Sequence, residues 1–222
     1  MKKFIVLLIT VLLLAGCSST TPQKTDEELM AEGWVKVLEL PATIDTTKTY
    51  KDSDGNEHPC EAGVYSTACS SINAENLIDY IGRKDVLYID VRDYNDYAKK
   101  HLKNFEVIPY FALIFDAEAG TDGKPQLFGG TVTVPVATYE ESIELLEVFF
   151  PKDQTIFLMC QSGGRVTQLM LLLEANGWDM SKIYNVGGMG QYTDSVYAPY
   201  VTDAAEITLT STYTFEGLTP AE

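Results

Sequence analysis

The chain is short of positive charge: 16 Lys and Arg stand against 32 Asp and Glu, giving a formal charge of −16. Nucleic acid is thereby excluded as a partner, because phosphate binding needs a basic footprint. Long apolar runs are also missing. The longest, Phe4 to Ala15, falls short of the roughly 20 residues that a membrane-spanning helix requires. Internal repeats are absent, and histidine is scarce, at His58 and His101 only. Against these absences, 45% hydrophobic content over 222 residues is enough for one ordinary domain with extensions. The acidic surplus serves solubility.

Lys2 and Lys3 precede the apolar run, which therefore reads as an export signal. The run ends in Leu14, Ala15, Gly16 and Cys17. That ending resembles the lipobox of bacterial lipoproteins, whose cysteine is lipidated and becomes the new N-terminus. The resemblance implies a signal peptide over 1–16, a lipid anchor on Cys17, and residence on the extracytoplasmic face of the cell membrane. An ordinary signal peptide with an incidental cysteine is the alternative. Ser18 to Glu28 (SSTTPQKTDEE) is polar and lacks apolar periodicity, so 17–33 reads as a flexible tether.

An N-terminal extension over 34–69 follows. Trp34 to Leu40 alternates like a strand, and Asp52 to Asn56 (DSDGN) reads as a hairpin turn. Its spaced acids do not continue as a calcium loop, and no metal is expected. From 70 to 193 helix and strand patterns alternate. Ala74 to Ile81 places Leu77, Ile78 and Ile81 at helical spacing behind an Asn73 cap. Val86–Asp90, Glu106–Pro109, Ile156–Met159 and Lys182–Val186 read as short strands; Tyr94–Lys100, Glu140–Phe150 and Val166–Ala175 read as helical. Such alternation predicts an α/β domain, a parallel sheet with helices on both faces. Residues 194–222 read as an acidic C-terminal tail.

The chemistry centres on FLMCQSGGRVTQ. A buried strand delivers Cys160 to a glycine-containing loop that opens a helix, and α/β sheets bind ligands at such strand ends. Gly163 and Gly164 allow backbone N–H groups to turn inward, the helix adds its positive end, and Arg165 adds a cation. A cysteine so placed is favoured as the nucleophilic thiolate. A buried structural cysteine beside an ordinary helix start is the alternative.

CQSGGR resembles the C-x-x-G-x-R active-site loop of rhodaneses. DVRDYNDYAKKHLKNFEVIP is similar to the family's D-V-R block, with Asp90, Val91, Arg92, Tyr97, His101 and Pro109 on its positions, and IYNVGGMGQY is similar to the segment that closes the domain. The resemblance spans Ser70 to Tyr192 and implies a rhodanese-like fold. It also implies catalytic roles for Cys160 and Arg165, a donor pocket shaped by Gln161, Ser162, Gly163 and Gly164, and structural roles for Asp90, Arg92 and His101. Four departures stand out. Asp96 replaces a Glu yet keeps a charge that could pair with Arg92; Lys100 replaces a Gly; Gln161 stands where Arg is frequent; Tyr192 stands near a family Trp. An insertion at about 111–137 contains FALIF and TVTVPV, with Pro135 marking an edge strand. It reads either as a lid over the site or as a peripheral hairpin.

The implied function is sulfur transfer from a small donor, such as thiosulfate or polysulfide, to a thiol or cyanide through a Cys160 persulfide, without a cofactor. Phosphatase chemistry on related folds uses a longer C-x5-R loop, against C-x4-R here. A non-catalytic binding or thiol-redox relay module at the cell surface is the alternative from another class, and no particular protein partner is implied. With Cys17 assigned to lipid and Cys160 to catalysis, Cys60 and Cys69 remain; an oxidising compartment favours their pairing, with metal binding alongside His58 as the alternative.

Overall fold

The computed structural model describes residues 38–121 and 123–203. Cys17, the signal and tether readings, and the tail after residue 203 lie outside the described residues. From the N-terminal side, β1 (Thr49–Lys51) and β2 (Glu57–Pro59) form an antiparallel hairpin around the DSDGN turn. Asp52 organises that turn by accepting from the Asp54 and Asn56 amides at 3.0 and 2.8 Å.

β3 (Val86–Asp90), β5 (Glu106–Val107), β8 (Thr155–Cys160) and β9 (Ile183–Gly188) form a parallel sheet in the order β5-β3-β8-β9. The fold is thus the expected α/β class. Side chains alternate along a strand, so β8 sends Ile156, Leu158 and Cys160 to one face and Phe157 and Met159 to the other. The first face is covered by α3 (Gly164–Ala175), which contributes Val166, Leu169, Met170, Leu172 and Leu173. Tyr110, Ile114, Phe115, Leu127 and Phe128 pack into the same layer. On the second face lie Ile72, Leu77, Leu102, Phe105, Tyr192 and Tyr197. Burying each such side chain is worth about 1.5–3 kcal/mol. An apolar layer on both sides fixes the register of β8, and with it the position of Cys160.

Four local readings are corrected. Ala74 to Ile81 is not a helix but a single 3-10 turn, Leu77–Asp79. Asn76 breaks the periodicity: its Oδ1 accepts from Asn73 N–H at 2.9 Å, its Nδ2 donates to Ser71 O at 2.9 Å, and Ile78 N–H donates to Tyr197 Oη instead of up the chain. TVTVPV is not one strand. It straddles the turn between β6 (Phe128–Thr131) and β7 (Val134–Ala137), where Thr131 Oγ1 accepts from Val134 N–H at 3.0 Å. Residues 38–40 form no strand. Finally, the expected tail begins inside the fold. Tyr197 is buried at 1% exposure, and β10 (Val201–Thr202) pairs antiparallel with β4 (His101–Leu102).

The other α-helices among the described residues are α1 (Tyr94–Lys99), between β3 and β4, and α2 (Ser142–Phe149), before β8. The insertion begins with a π-helical turn, Tyr110–Ile114. Its base belongs to the Cys160 side of the core, whereas Val134 and Val136 in its hairpin are 69% and 60% exposed.

Candidate active site

At the carboxyl end of β8 the chain turns through Gln161, Ser162 and Gly163 into α3. Gly163 N–H donates to Cys160 Sγ at 3.1 Å, at the N-terminal end of α3. Among the described residues Cys160 is the free cysteine; it is only 1% exposed, next to the exposed Gln161 and Ser162. Gly163 has φ +95°, and a Cβ there would lie 1.8 Å from Thr67 Oγ1, so glycine is required. At Gly164 a Cβ would meet nothing within 4 Å. The expectation that both glycines shape the loop is therefore narrowed to Gly163. Gly188 supports the loop from β9: a Cβ on it would strike the Gln161–Ser162 peptide at 2.1 to 2.2 Å.

Arg165 lies in the first turn of α3, with its guanidinium 5.7 Å from the Phe111 ring centroid. Its nearest acid is Asp93, at 3.8 Å from Nη1, and that buried Nη1 has no hydrogen-bond partner among the described residues. Phe111 comes from the insertion, whose backbone there is held by Gln126 Nε2 donating to Phe111 O at 2.9 Å. The base of the insertion thus borders the arginine, while Val134 and Val136 of its hairpin are exposed.

Asp90, the last residue of β3, and Arg92, just beyond it, form a buried pair, 2.7 Å from Nη2 to Oδ2. Arg92 also donates to Lys100 O at 2.7 Å and Asp96 O at 3.4 Å. Burial pushes the Asp90 carboxyl up from its ordinary range, opposed by the Arg92 guanidinium. The expected pairing of the Asp96 carboxylate with Arg92 is corrected: the Asp96 side chain goes to Lys99 Nζ at 3.3 Å, and only its carbonyl meets Arg92. The Asp90 carboxylate, already fixed at the end of the strand, occupies the guanidinium through both oxygens. His101 is fully buried, stacked on Tyr97 with centroids 3.8 Å apart, and donates from Nδ1 to Tyr97 O at 2.9 Å. It forms no hydrogen bond with Cys160.

Beside the loop lies a cavity of about 370 Å³, bordered by Arg92, Asp96, Lys99, Lys100, Gln161, Met189 and Gly190. Gln161 Oε1 is 3.5 Å from Arg92 Nη1, and its carbonyl accepts from Gly190 N–H at 3.2 Å. Lys100, which replaces a glycine of the family pattern, adds a cation to this wall. Tyr192, near the place of a family Trp, is buried and donates its hydroxyl to Val186 O. The phenol thereby gains the hydrogen bond that burial demands.

Two residues escaped the sequence reading. Asn185 Nδ2 donates to Tyr65 O at 2.8 Å and Gly163 O at 3.3 Å, while its Oδ1 accepts from Thr67 Oγ1 at 3.3 Å and Gly187 N–H at 3.0 Å. The polar interruption of the apolar IYNV run was its available signal. Thr67 carried none, because only tertiary contact brings it to Gly163. Cys60 and Cys69 are joined by a disulfide with Cα atoms 5.4 Å apart. His58 instead pairs with Asp52 at 2.8 Å, which lowers the Asp52 carboxyl to about 2, the His58 hydrogen bond acting first and the Asn56 amide next. Among the described residues no group of three or more His, Cys, Asp or Glu is placed to hold a metal ion.

The profile of the rhodanese-like domain family matches residues 73–194, more than half of the 222-residue chain. The chain therefore belongs to the rhodanese-like domain family. Solved structures similar to it include a rhodanese with anions from E. coli, 18% identical over 49% of this chain and 92% of that one, with TM-score 0.31. A Staphylococcus saprophyticus protein is 22% identical over 56% and 94%, with TM-score 0.36. The rhodanese-like domain of an Anabaena sp. protein is 14% identical over 68% and 92%, with TM-score 0.37. Membership rests on the profile match rather than on these distant likenesses. No curated protein matches the chain.

Proposed function

We propose that this protein is a thiosulfate sulfurtransferase-like enzyme in which Cys160 carries the sulfur. The observation that carries the reading is the 3.1 Å bond from Gly163 N–H to Cys160 Sγ at the start of α3. The Cys160 thiolate attacks the sulfane sulfur of thiosulfate, the sulfur–sulfur bond to the sulfonate breaks, and sulfite leaves with the electron pair. A persulfide remains, its charge facing the loop amides. A thiol or cyanide then takes the outer sulfur and restores the thiolate, so the cycle needs no cofactor. Arg165, with Nη1 buried and unbonded among the described residues, is suited to the donor's oxyanion. Gln161, Ser162, Gly163 and Gly164 line the approach, while Asp90, Arg92 and His101 hold the loops. The same reading places the enzyme on the extracytoplasmic face of the membrane through lipidated Cys17. Thiosulfate should add one sulfur to Cys160, cyanide should remove it, and Cys160→Ser should form no adduct. A folded protein with free Cys160 that accepts sulfur from no sulfane donor defeats the assignment and leaves the non-catalytic relay.

The anchor has its own test. Cys17→Ala should move the protein from the membrane to the soluble fraction or leave it as an uncleaved precursor. Unchanged detergent partitioning and N-terminal mass would refute lipidation.

A further inference from the structure

The segment from Cys60 to Cys69 precedes the residues matched by the family profile, yet it touches the reacting loop. Thr67 opens a short 3-10 turn capped by Ser66, whose Oγ accepts from Ala68 N–H at 3.3 Å. Its side chain is wedged between Gly163, at the start of α3, and Gly187 of β9. The hydroxyl occupies the space that a Cβ on Gly163 would need, and Cγ2 lies 3.0 Å from where a Cβ on Gly187 would sit. Asn185 ties the same points together, bonding Thr67, Gly163 O, Gly187 N–H and Tyr65 O. Thr167 closes the ring, donating to Tyr65 O at 2.9 Å. The glycine gripped in this way is the one whose amide bonds Cys160 Sγ.

The wedge is also held from behind. Cys69 ends the turn, is fully buried, and is bridged to Cys60, while Asp45 N–H donates to Cys69 O at 2.8 Å. We propose that Thr67, presented by the disulfide-closed extension, is a positioning residue for Gly163 and thereby for the Cys160 sulfur. It acts through the Gly163 amide and does not touch substrate. The inference rests on the sulfurtransferase reading for its kinetic consequence, whereas the positioning itself can be read on the thiol.

The full chain and its Thr67→Ala, Thr67→Val and Thr67→Ser variants are compared in two measurements. With thiosulfate, Thr67→Ala should slow persulfide formation about tenfold at saturation while KM changes less than about twofold, the signature of lost alignment rather than lost binding. Thr67→Val, whose methyl is larger than the hydroxyl facing Gly163, should be slowed similarly, and Thr67→Ser should stay within about twofold of the parent. Iodoacetamide labelling of Cys160, read by peptide mass, should rank the four proteins in the same order. The paired Cys60→Ser and Cys69→Ser variant should follow Thr67→Ala in both measurements and covers the case in which a Thr67 variant folds poorly. Equal labelling rates across folded variants overturn the proposal, as does a slow Thr67→Ser protein. If no variant and no parent accepts sulfur but labelling still ranks as stated, the positioning holds and the sulfurtransferase reading fails.

Discussion

Two arginines stand at the ends of neighbouring strands and are used in opposite ways. Arg92, after β3, is 2% exposed and bonds both Asp90 oxygens and the Lys100 carbonyl. Arg165, after β8, has one acid at 3.8 Å and a buried nitrogen without a hydrogen bond among the described residues. The first is saturated by protein and serves the fold. The second keeps an unused donor, and it sits in the helix turn that follows Cys160, the cysteine proposed to carry sulfur. Residue type alone does not separate structure from chemistry; the count of donors already satisfied does.

The largest expected effect breaks the saturated side. Arg92→Leu leaves the Asp90 carboxylate buried without its partner and should cost about 3–5 kcal/mol in urea unfolding. A loss below about 1 kcal/mol would show that Arg92 is not the structural member of the two. Arg165→Ala should do the reverse. Its long, 3.8 Å pairing with the exposed Asp93 is worth at most about 1 kcal/mol of stability, whereas loss of an oxyanion donor should slow transfer from thiosulfate about a hundredfold. The rate defect should shrink with donors that lack an oxyanion. Equal defects across donors would move Arg165 out of the donor pocket.

A smaller effect lies in the extension. Replacing Cys60 and Cys69 by serine opens a loop of sequence separation 9 and should cost about 2–3 kcal/mol, read as a lowered melting temperature. The smallest is the pH response of the hairpin. Asp52 is held at about 2, below its ordinary 3.8. A depressed carboxyl stabilises the folded form above its unfolded pKa and loses that contribution as pH falls through the folded one. The hairpin should therefore keep this contribution above pH 4 and lose it towards pH 2. Carboxyl carbon shifts of Asp52 should titrate near 2; a midpoint at 3.8 would remove the His58 and Asn56 contacts from the account.

The sheet was legible because VLYID and IFLM are short runs apolar on both faces, the first ending at an acid and the second running straight into Cys160. The loop was legible because a strand, a cysteine, a glycine and an arginine followed one another within a few residues. Ala74 to Ile81 was misread because its apolar spacing is helical, while the asparagines' side-chain hydrogen bonds, which periodicity does not weigh, decide the backbone. TVTVPV misled for a related reason: alternation continues across a tight turn. Thr67 lay beyond any pattern. Its contact with Gly163 spans 96 residues of chain and exists only once the sheet has formed.

The central claim is that Cys160 breaks the sulfur–sulfur bond of a sulfane donor and keeps the sulfur. Mixing excess thiosulfate with the protein in the absence of acceptor, and counting sulfite released in the first turnover, tests it most directly. The account predicts about one sulfite per Cys160, matched by one added sulfur on that residue, and none from Cys160→Ser. No sulfite from the folded parent, or the same sulfite from Cys160→Ser, would contradict it.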